Sequence, residues 1–176
     1  MQKTKGHLKG WTISGSNPYT YELVKDYTIF QSGDSSGCFY AKDTVGKEQF
    51  GVMMQEFKAD NYKGKRLKLY GVLKTEDVVE CRLWMQVNNA VGDVIQFDNR
   101  GGRSIHGTTG WGQYSIVLDV PPESESICFG ILLVGGTGKV WVDGFRFKVV
   151  DEKTPTTNMG IHDKLPKRPV NLEFDE

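Results

Sequence analysis

Apolar residues recur at every second position in short runs along most of this chain. In Cys81–Asn88 the alternation is cleanest: Cys81, Leu83, Met85 and Val87 share one face, and Arg82, Trp84, Gln86 and Asn88 share the other. A strand that rests one face on a core and leaves the other wet reads this way. Phe145, Phe147 and Val149 alternate with Arg146 and Lys148 in the same manner. Ile127, Phe129, Ile131 and Leu133 instead interleave with Cys128, Gly130 and Leu132, which predicts a central strand covered on both faces. The full set of predicted strands is Trp11–Ile13, Tyr19–Val24, Thr28–Phe30, Gly37–Lys42, Phe50–Lys58, Arg66–Lys74, Cys81–Asn88, Val94–Phe97, Gln113–Val120, Ser126–Val134 and Lys139–Val150.

Turn-forming stretches separate these runs, among them Ser32–Gly37, Asn61–Gly64, Asn88–Asp93, Pro121–Glu125 and Gly135–Gly138. Short strands at such spacing predict an antiparallel sandwich or barrel. No stretch of helical period with caps accompanies them, so little helix is expected. After Val150 the chain turns polar, with Pro155, Pro166 and Pro169. The expected organisation is a leader at 1–9, one domain at 10–150, and an extended or flexible tail at 151–176. Val170, Leu172 and Phe174 are weak alternating anchors in that tail, and a strand added to a sheet edge is its second reading.

Length and charge narrow the picture. A chain of 176 residues suits one domain with a substantial core, and 22 basic against 22 acidic side chains leave a formal net charge of zero. Nothing in that balance attracts a polyanion or an anionic membrane, so neither nucleic acid nor membrane is an expected partner. The densest basic run, Lys63–Lys68, reads as a solvated strand entry with Leu67 and Leu69 inward. Cys38, Cys81 and Cys128 are an odd set without CxxC spacing, each inside an apolar run, and are expected to be buried thiols. The first residues are basic but no apolar segment follows. A cytoplasmic protein without a signal peptide is the expectation, and no run approaches the ~18 apolar residues of a membrane helix.

Catalytic signatures are sparse. His7, His106 and His162 share no metal-binding spacing, and Gly135–Gly138 reads as a hairpin turn rather than a phosphate cradle, since no helix follows. Asp98, Asp119 and Asp143 are the carboxylates that a glycoside-type hydrolase could recruit. Asp119 and Asp143 precede turns, where aspartate commonly accepts backbone amides. Asp143 with nearby backbone carbonyls is also a possible structural calcium site. No catalytic residue or resident metal is otherwise expected.

A binding face is better supported. The outward side of Cys81–Asn88 combines the Trp84 ring with donors and acceptors at Arg82, Gln86 and Asn88. Asp98, Asn99 and Arg103 follow in a polar loop, with Trp111 and Tyr114 beyond. Aromatic surface beside a few fixed polar groups is how proteins hold small polar ligands. The competing reading buries Trp84 and Trp111 under loops and has Arg103 tie down its own turn through Asp98.

Several segments carry a resemblance: Phe57–Arg66, Leu83–Met85, Phe97–Asn99, Gly107–Trp111, Val117–Pro121 and Val140–Asp143. Over residues 10–150 the chain resembles a bacterial galactose-binding-like jelly-roll domain. That family occurs as stand-alone Bacillus-type proteins, often labelled AraC-family transcriptional regulators, and beside peptidase or esterase-like domains. The resemblance implies an all-β, two-sheet antiparallel jelly-roll sandwich similar to carbohydrate-binding modules. Gln86 stands where the family pattern has arginine, and Glu80-Cys-Arg82 where it is glycine-rich. No helix-turn-helix pattern is visible.

The resulting expectation is a non-catalytic module for a carbohydrate or other small polar ligand. Trp84 would stack, Arg82, Gln86, Asn88, Asp98, Asn99 and Arg103 would supply hydrogen bonds, and Trp111 would extend the aromatic surface. A transcription-associated regulatory or protein-interaction protein is the alternative, and a hydrolase using the loop carboxylates the third.

Overall fold

A computed structural model describes residues 3–4, 8–42, 46, 48–159 and 172–174. Ten strands follow in chain order: β1 (Lys3–Thr4), β2 (Thr12–Gly15), β3 (Tyr21–Asp26), β4 (Ser36–Ala41), β5 (Phe50–Lys58), β6 (Lys65–Asn89), β7 (Val94–Asp98), β8 (Ile105–Val120), β9 (Ser124–Val134) and β10 (Lys139–Val150). A 3-10 turn, Pro18–Thr20, precedes β3. Every strand pairing is antiparallel.

The strands form a two-sheet jelly-roll sandwich. Sheet I runs β1-β3-β4-β10-β6-β8 and sheet II runs β7-β6-β9-β5-β2. The 25-residue β6 belongs to both. Its first half pairs with β10 and β8, and from Glu80 onward it pairs with β9. The changeover surrounds Asp77, which has φ +50°, and the register with β8 shifts on either side of it. Strands commonly turn a sandwich corner through such irregularities.

The β9–β10 connection, Gly135–Gly138, turns the same corner. It is not the hairpin turn that the sequence suggests, because β9 lies in sheet II and β10 in sheet I. Thr137 donates to the Asp77 carbonyl at 3.1 Å. Gly138, at φ +82°, abuts the Glu76 and Asp77 carbonyls so closely that a Cβ would strike them, and this explains the glycine.

The core lies between the sheets and is filled by the predicted inward phase. Leu67, Leu69 and Leu73 come from one half of β6, and Cys81, Leu83, Met85 and Val87 from the other; Ile127, Phe129, Ile131 and Leu133 face them from β9. All three cysteines are buried and none forms a disulfide, as expected. Burial pushes the Cys81 thiol up to about 12. Val149 departs from the alternation, standing 45% exposed at the end of β10.

Several expected strands differ, and Arg66–Lys74 and Cys81–Asn88 are the two halves of the single strand β6. Thr28–Phe30 is not a strand: the Asp26 carboxylate accepts the amides of Thr28 (2.8 Å) and Ile29 (3.1 Å), folding the chain into a loop. β8 begins at Ile105 rather than Gln113, because the polar Gly107–Gly112 stretch pairs with β6 despite lacking an apolar period.

Beyond β10, residues 151–159 cross the open edge between the sheets. Arg66 donates to the Glu152 and Thr154 carbonyls at 3.2 and 2.8 Å. Thr157 exchanges bonds with Val117 of β8, and Asn158 and Met159 bond the backbone of Phe97 in β7. Leu172 and Phe174 stand 68% and 90% exposed, so neither anchors the tail; Val170 lies outside the described residues.

Candidate functional site

The outward phase of sheet II forms the candidate site. Trp84 sits opposite Gly130 of β9, and Gln86 lies between Phe97 of β7 and Cys128 of β9. Gly130 carries no side chain, and a Cβ there would collide with the Met53 carbonyl. The pairing leaves a cleft of about 320 Å³ with Trp84, Gln86, Phe97 and Asn99 on one side and Val52, Met54 and Leu132 toward the other.

Trp84 is 8% exposed, so it is a wall of this cleft and not the open stacking platform expected from the alternation. Among the described residues its indole Nε1 is buried without a hydrogen-bond partner, and so is the Asn99 Oδ1. Buried polar atoms are ordinarily paired, since each orphan costs about 1–3 kcal/mol. Two orphans in the lining of one cleft mark a place where a polar ligand group has something to satisfy.

The remaining predicted residues divide. Arg82 is half-buried and ion-paired to Glu80, its neighbour on the same strand face, close to Asn99 and Gly101. Gln86 donates to the Asn88 Oδ1 at 3.2 Å; Asn88 in turn donates to the Ser126 Oγ at 3.3 Å and contacts the Cys128 Sγ at 3.5 Å. Ser126 and Cys128 both donate to Glu56, at 3.3 and 2.8 Å. Burial, and then the Glu56 hydrogen bond, push the Cys128 thiol up to about 12. Arg82, Trp84, Gln86, Asn88 and Asn99 therefore share one face.

Asp98, Arg103 and Trp111 do not join them. Asp98 is fully buried opposite Met85, on the inward phase of β7. Its carboxylate accepts Arg103 at 2.5 Å and the Arg100 amide at 2.7 Å. The pair staples the β7–β8 loop instead of presenting hydrogen bonds to a ligand. Trp111 packs on the outer face of sheet I, against the cluster of Val24, Cys38 and Trp141.

The other chemistry raised by the sequence also finds local explanations. Asp119 accepts Arg66 at 2.8 Å, and Asp143 accepts the Gln31 and Ser32 amides at 2.5 and 2.6 Å. With Asp98 stapled, each of the three carboxylates is engaged by the fold itself. Among the described residues no group of three or more His, Cys, Asp and Glu gathers to hold a metal ion. His106 contacts the Val79 carbonyl at 2.8 Å and the Ser104 hydroxyl at 3.0 Å, a structural role. His7 and His162 lie outside the described residues. Lys63 reaches Asp60 and Arg66 reaches Asp119, so the Lys63–Lys68 run is partly neutralised.

Ser14, Val52, Met54, Phe97 and Leu132 line the cleft without having been singled out from the sequence. Their signal was available: Val52, Met54 and Leu132 are apolar residues on the outward phase of strands whose inward phase is already apolar.

No family model matches the chain. It is 46% identical over 172 residues to a Bacillus subtilis (strain 168) protein named as the uncharacterized HTH-type transcriptional regulator YbfP. The match covers 96% of this chain and 57% of the relative, so the chain spans little more than half of that protein's length. Among solved structures, the CBM22-1 xylan-binding domain of Paenibacillus barcinonensis Xyn10C has a TM-score of 0.58 at 14% identity, over 83% of this chain and 89% of that domain. The enzymatically active domain of bacteriophage CBA120 tailspike protein 4 has a TM-score of 0.60 at 11% identity, over 81% of this chain and 20% of that one. TmCBM61 in complex with β-1,4-galactotriose has a TM-score of 0.50 at 14% identity, over 81% and 90%. At these identities the likeness is one of fold. No helix among the described residues is long and apolar enough to cross a membrane.

Proposed function

We propose that the jelly roll of residues 10–150 is a non-catalytic recognition module that takes a carbohydrate or similar small polar ligand in the Trp84 cleft. The observation that carries this reading is the pair of unpartnered buried polar atoms, the Trp84 Nε1 and the Asn99 Oδ1, in the lining of one apolar-walled cleft. Apolar walls with a few placed donors and acceptors suit a sugar, whose ring faces are apolar and whose edges carry hydroxyls. Gln86 offers a further amide, and Arg82 lies at the margin of the same face. The neighbouring xylan- and galactotriose-binding structures support the choice of ligand class by fold analogy. Three buried cysteines outside any disulfide support a reducing, cytoplasmic setting.

Isothermal titration calorimetry with xylohexaose and β-1,4-galactotriose, preceded by a glycan array, tests the reading. Binding is expected to weaken at least tenfold in Trp84→Ala and in Asn99→Ala. An empty array, or unchanged affinity in both variants, would remove this cleft from consideration.

The regulator-named relative favours a second reading, in which the same cleft supplies ligand sensing to a transcriptional regulator. On that reading the 176-residue chain alone, with zero net charge and no helix-turn-helix pattern, is not retained on DNA at physiological salt. Retention there would transfer the DNA-binding role to the sandwich itself.

A further inference from the structure

A larger hollow lies elsewhere in the molecule, between the inner faces of the sheets. About 530 Å³ opens where β3 and β4 diverge from β5, β9 and β10, and it shares no lining residue with the Trp84 cleft. Gly37 and Gly144 contribute to its wall without side-chain bulk, Gly144 at the position where the β10 register shifts. The floor is aromatic: the Trp11 ring centroid lies 5.4 Å from that of Phe129 and 5.3 Å from that of Phe145.

Polar groups meet this floor. The Asp143 carboxylate is already engaged by the Gln31 and Ser32 amides. Lys25 is not matched in that way: its ammonium lies over the Tyr27 ring at 5.2 Å and forms no ion pair with a described residue. Gln55 also faces the hollow, and its side-chain amide has no hydrogen bond to a described residue. The volume falls within the usual range for small-molecule sites, and the lining combines aromatic area with a cation and a side-chain amide.

We propose that this hollow is a second, independent binding site for a small amphipathic anion. The apolar body would lie among Trp11, Phe129 and Phe145, and the carboxylate or sulfonate head would bond Lys25 and the Gln55 amide. An anionic head is favoured because the lining's carboxylate already accepts two backbone amides, while its ammonium pairs with no carboxylate among the described residues. The proposal does not depend on the Trp84 cleft binding a sugar.

The probe is 8-anilinonaphthalene-1-sulfonate, titrated by fluorescence into the folded chain and mapped by amide chemical shifts. One saturable site is expected, with shifts concentrated at Lys25, Gly37, Gln55 and Gly144. Lys25→Gln is expected to weaken the sulfonate about tenfold, the weight of one charge-assisted contact, while leaving the uncharged N-phenyl-1-naphthylamine unaffected. Gln55→Ala should give a smaller loss in the same direction. Shifts centred on Trp84 and Phe97, no saturable site, or equal sulfonate affinity in Lys25→Gln would each overturn the proposal.

Discussion

Trp84 and Trp141 occupy matching situations on opposite outer faces of the sandwich, and only one has been given a partner. Trp141 is 2% exposed beneath the β3–β4 loop, and its indole donates to the buried Asp26 at 3.0 Å. Trp84 is 8% exposed on sheet II, and its indole donates to no described residue. Similar burial thus accompanies two different roles. A tryptophan whose polar tip is satisfied by its own fold is scaffold; one whose tip is left orphaned beside a cleft is a candidate for recognition.

Removing each ring should break the symmetry of that comparison most sharply on the scaffold side. Trp141→Ala is expected to cost about 3–5 kcal/mol, because it empties a packed site and takes the indole donor from the buried Asp26 Oδ2. Urea unfolding followed by circular dichroism measures this. A loss below about 1 kcal/mol would mean that the loop collapses onto the vacancy and that Trp141 is dispensable scaffold.

Acid tests the same anchor more gently. Burial raises the Asp26 carboxyl, but bonds from the Thr28 amide, the Trp141 indole, the Thr28 hydroxyl and the Ile29 amide outweigh it and hold the group at about 2. A folded value below the ordinary one means that the unfolded chain takes up the proton first. The stabilisation is complete above about pH 5 and is lost as pH falls through 4 toward 2, amounting to about 2 kcal/mol. Asp26→Asn should flatten that part of the stability-pH profile. An unchanged slope in the variant would transfer the acid sensitivity to other carboxylates.

The smallest effect belongs to the recognition side. Trp84→Phe keeps an aromatic ring and removes the N–H together with a few ring atoms at the cleft wall, so stability should change by less than about 1 kcal/mol in either direction. Ligand affinity in the cleft should nevertheless fall. A large stability loss from so mild a change would place Trp84 with the scaffold and erase the distinction.

The two regions were unequally legible in the sequence. Alternation located the inward and outward phases of Cys81–Asn88 and of β9 because burial on a pleated strand has a period of two. The same rule could not show that Arg66–Lys74 and Cys81–Asn88 are one strand. Glu76 and Asp77 interrupt the pattern at the corner, while the hydrogen-bonded path continues through them. Pairing is also non-local, which is why Gly135–Gly138 reads as a hairpin although its flanking strands join different sheets. At the site, Gln86 and Asn88 followed from phase alone. Asp98 and Arg103 read as ligand groups because residue type does not reveal that β7 turns Asp98 inward. Trp111 needed the tertiary partner Trp141 to be assigned to the other face.

The shared strand also bears on how this molecule comes apart. β6 pairs β10 and β8 with one half of its length and β9 and β7 with the other, so each sheet is missing an interior strand unless the other can form. Neither sheet is a separable unit. Most of the pairings also join segments far apart in sequence, which favours slow, concerted assembly over stepwise growth from a stable half. A nick near Asp77 would therefore cut the tie between two halves that have no independent existence, and its consequence should be global unfolding instead of the release of a folded fragment.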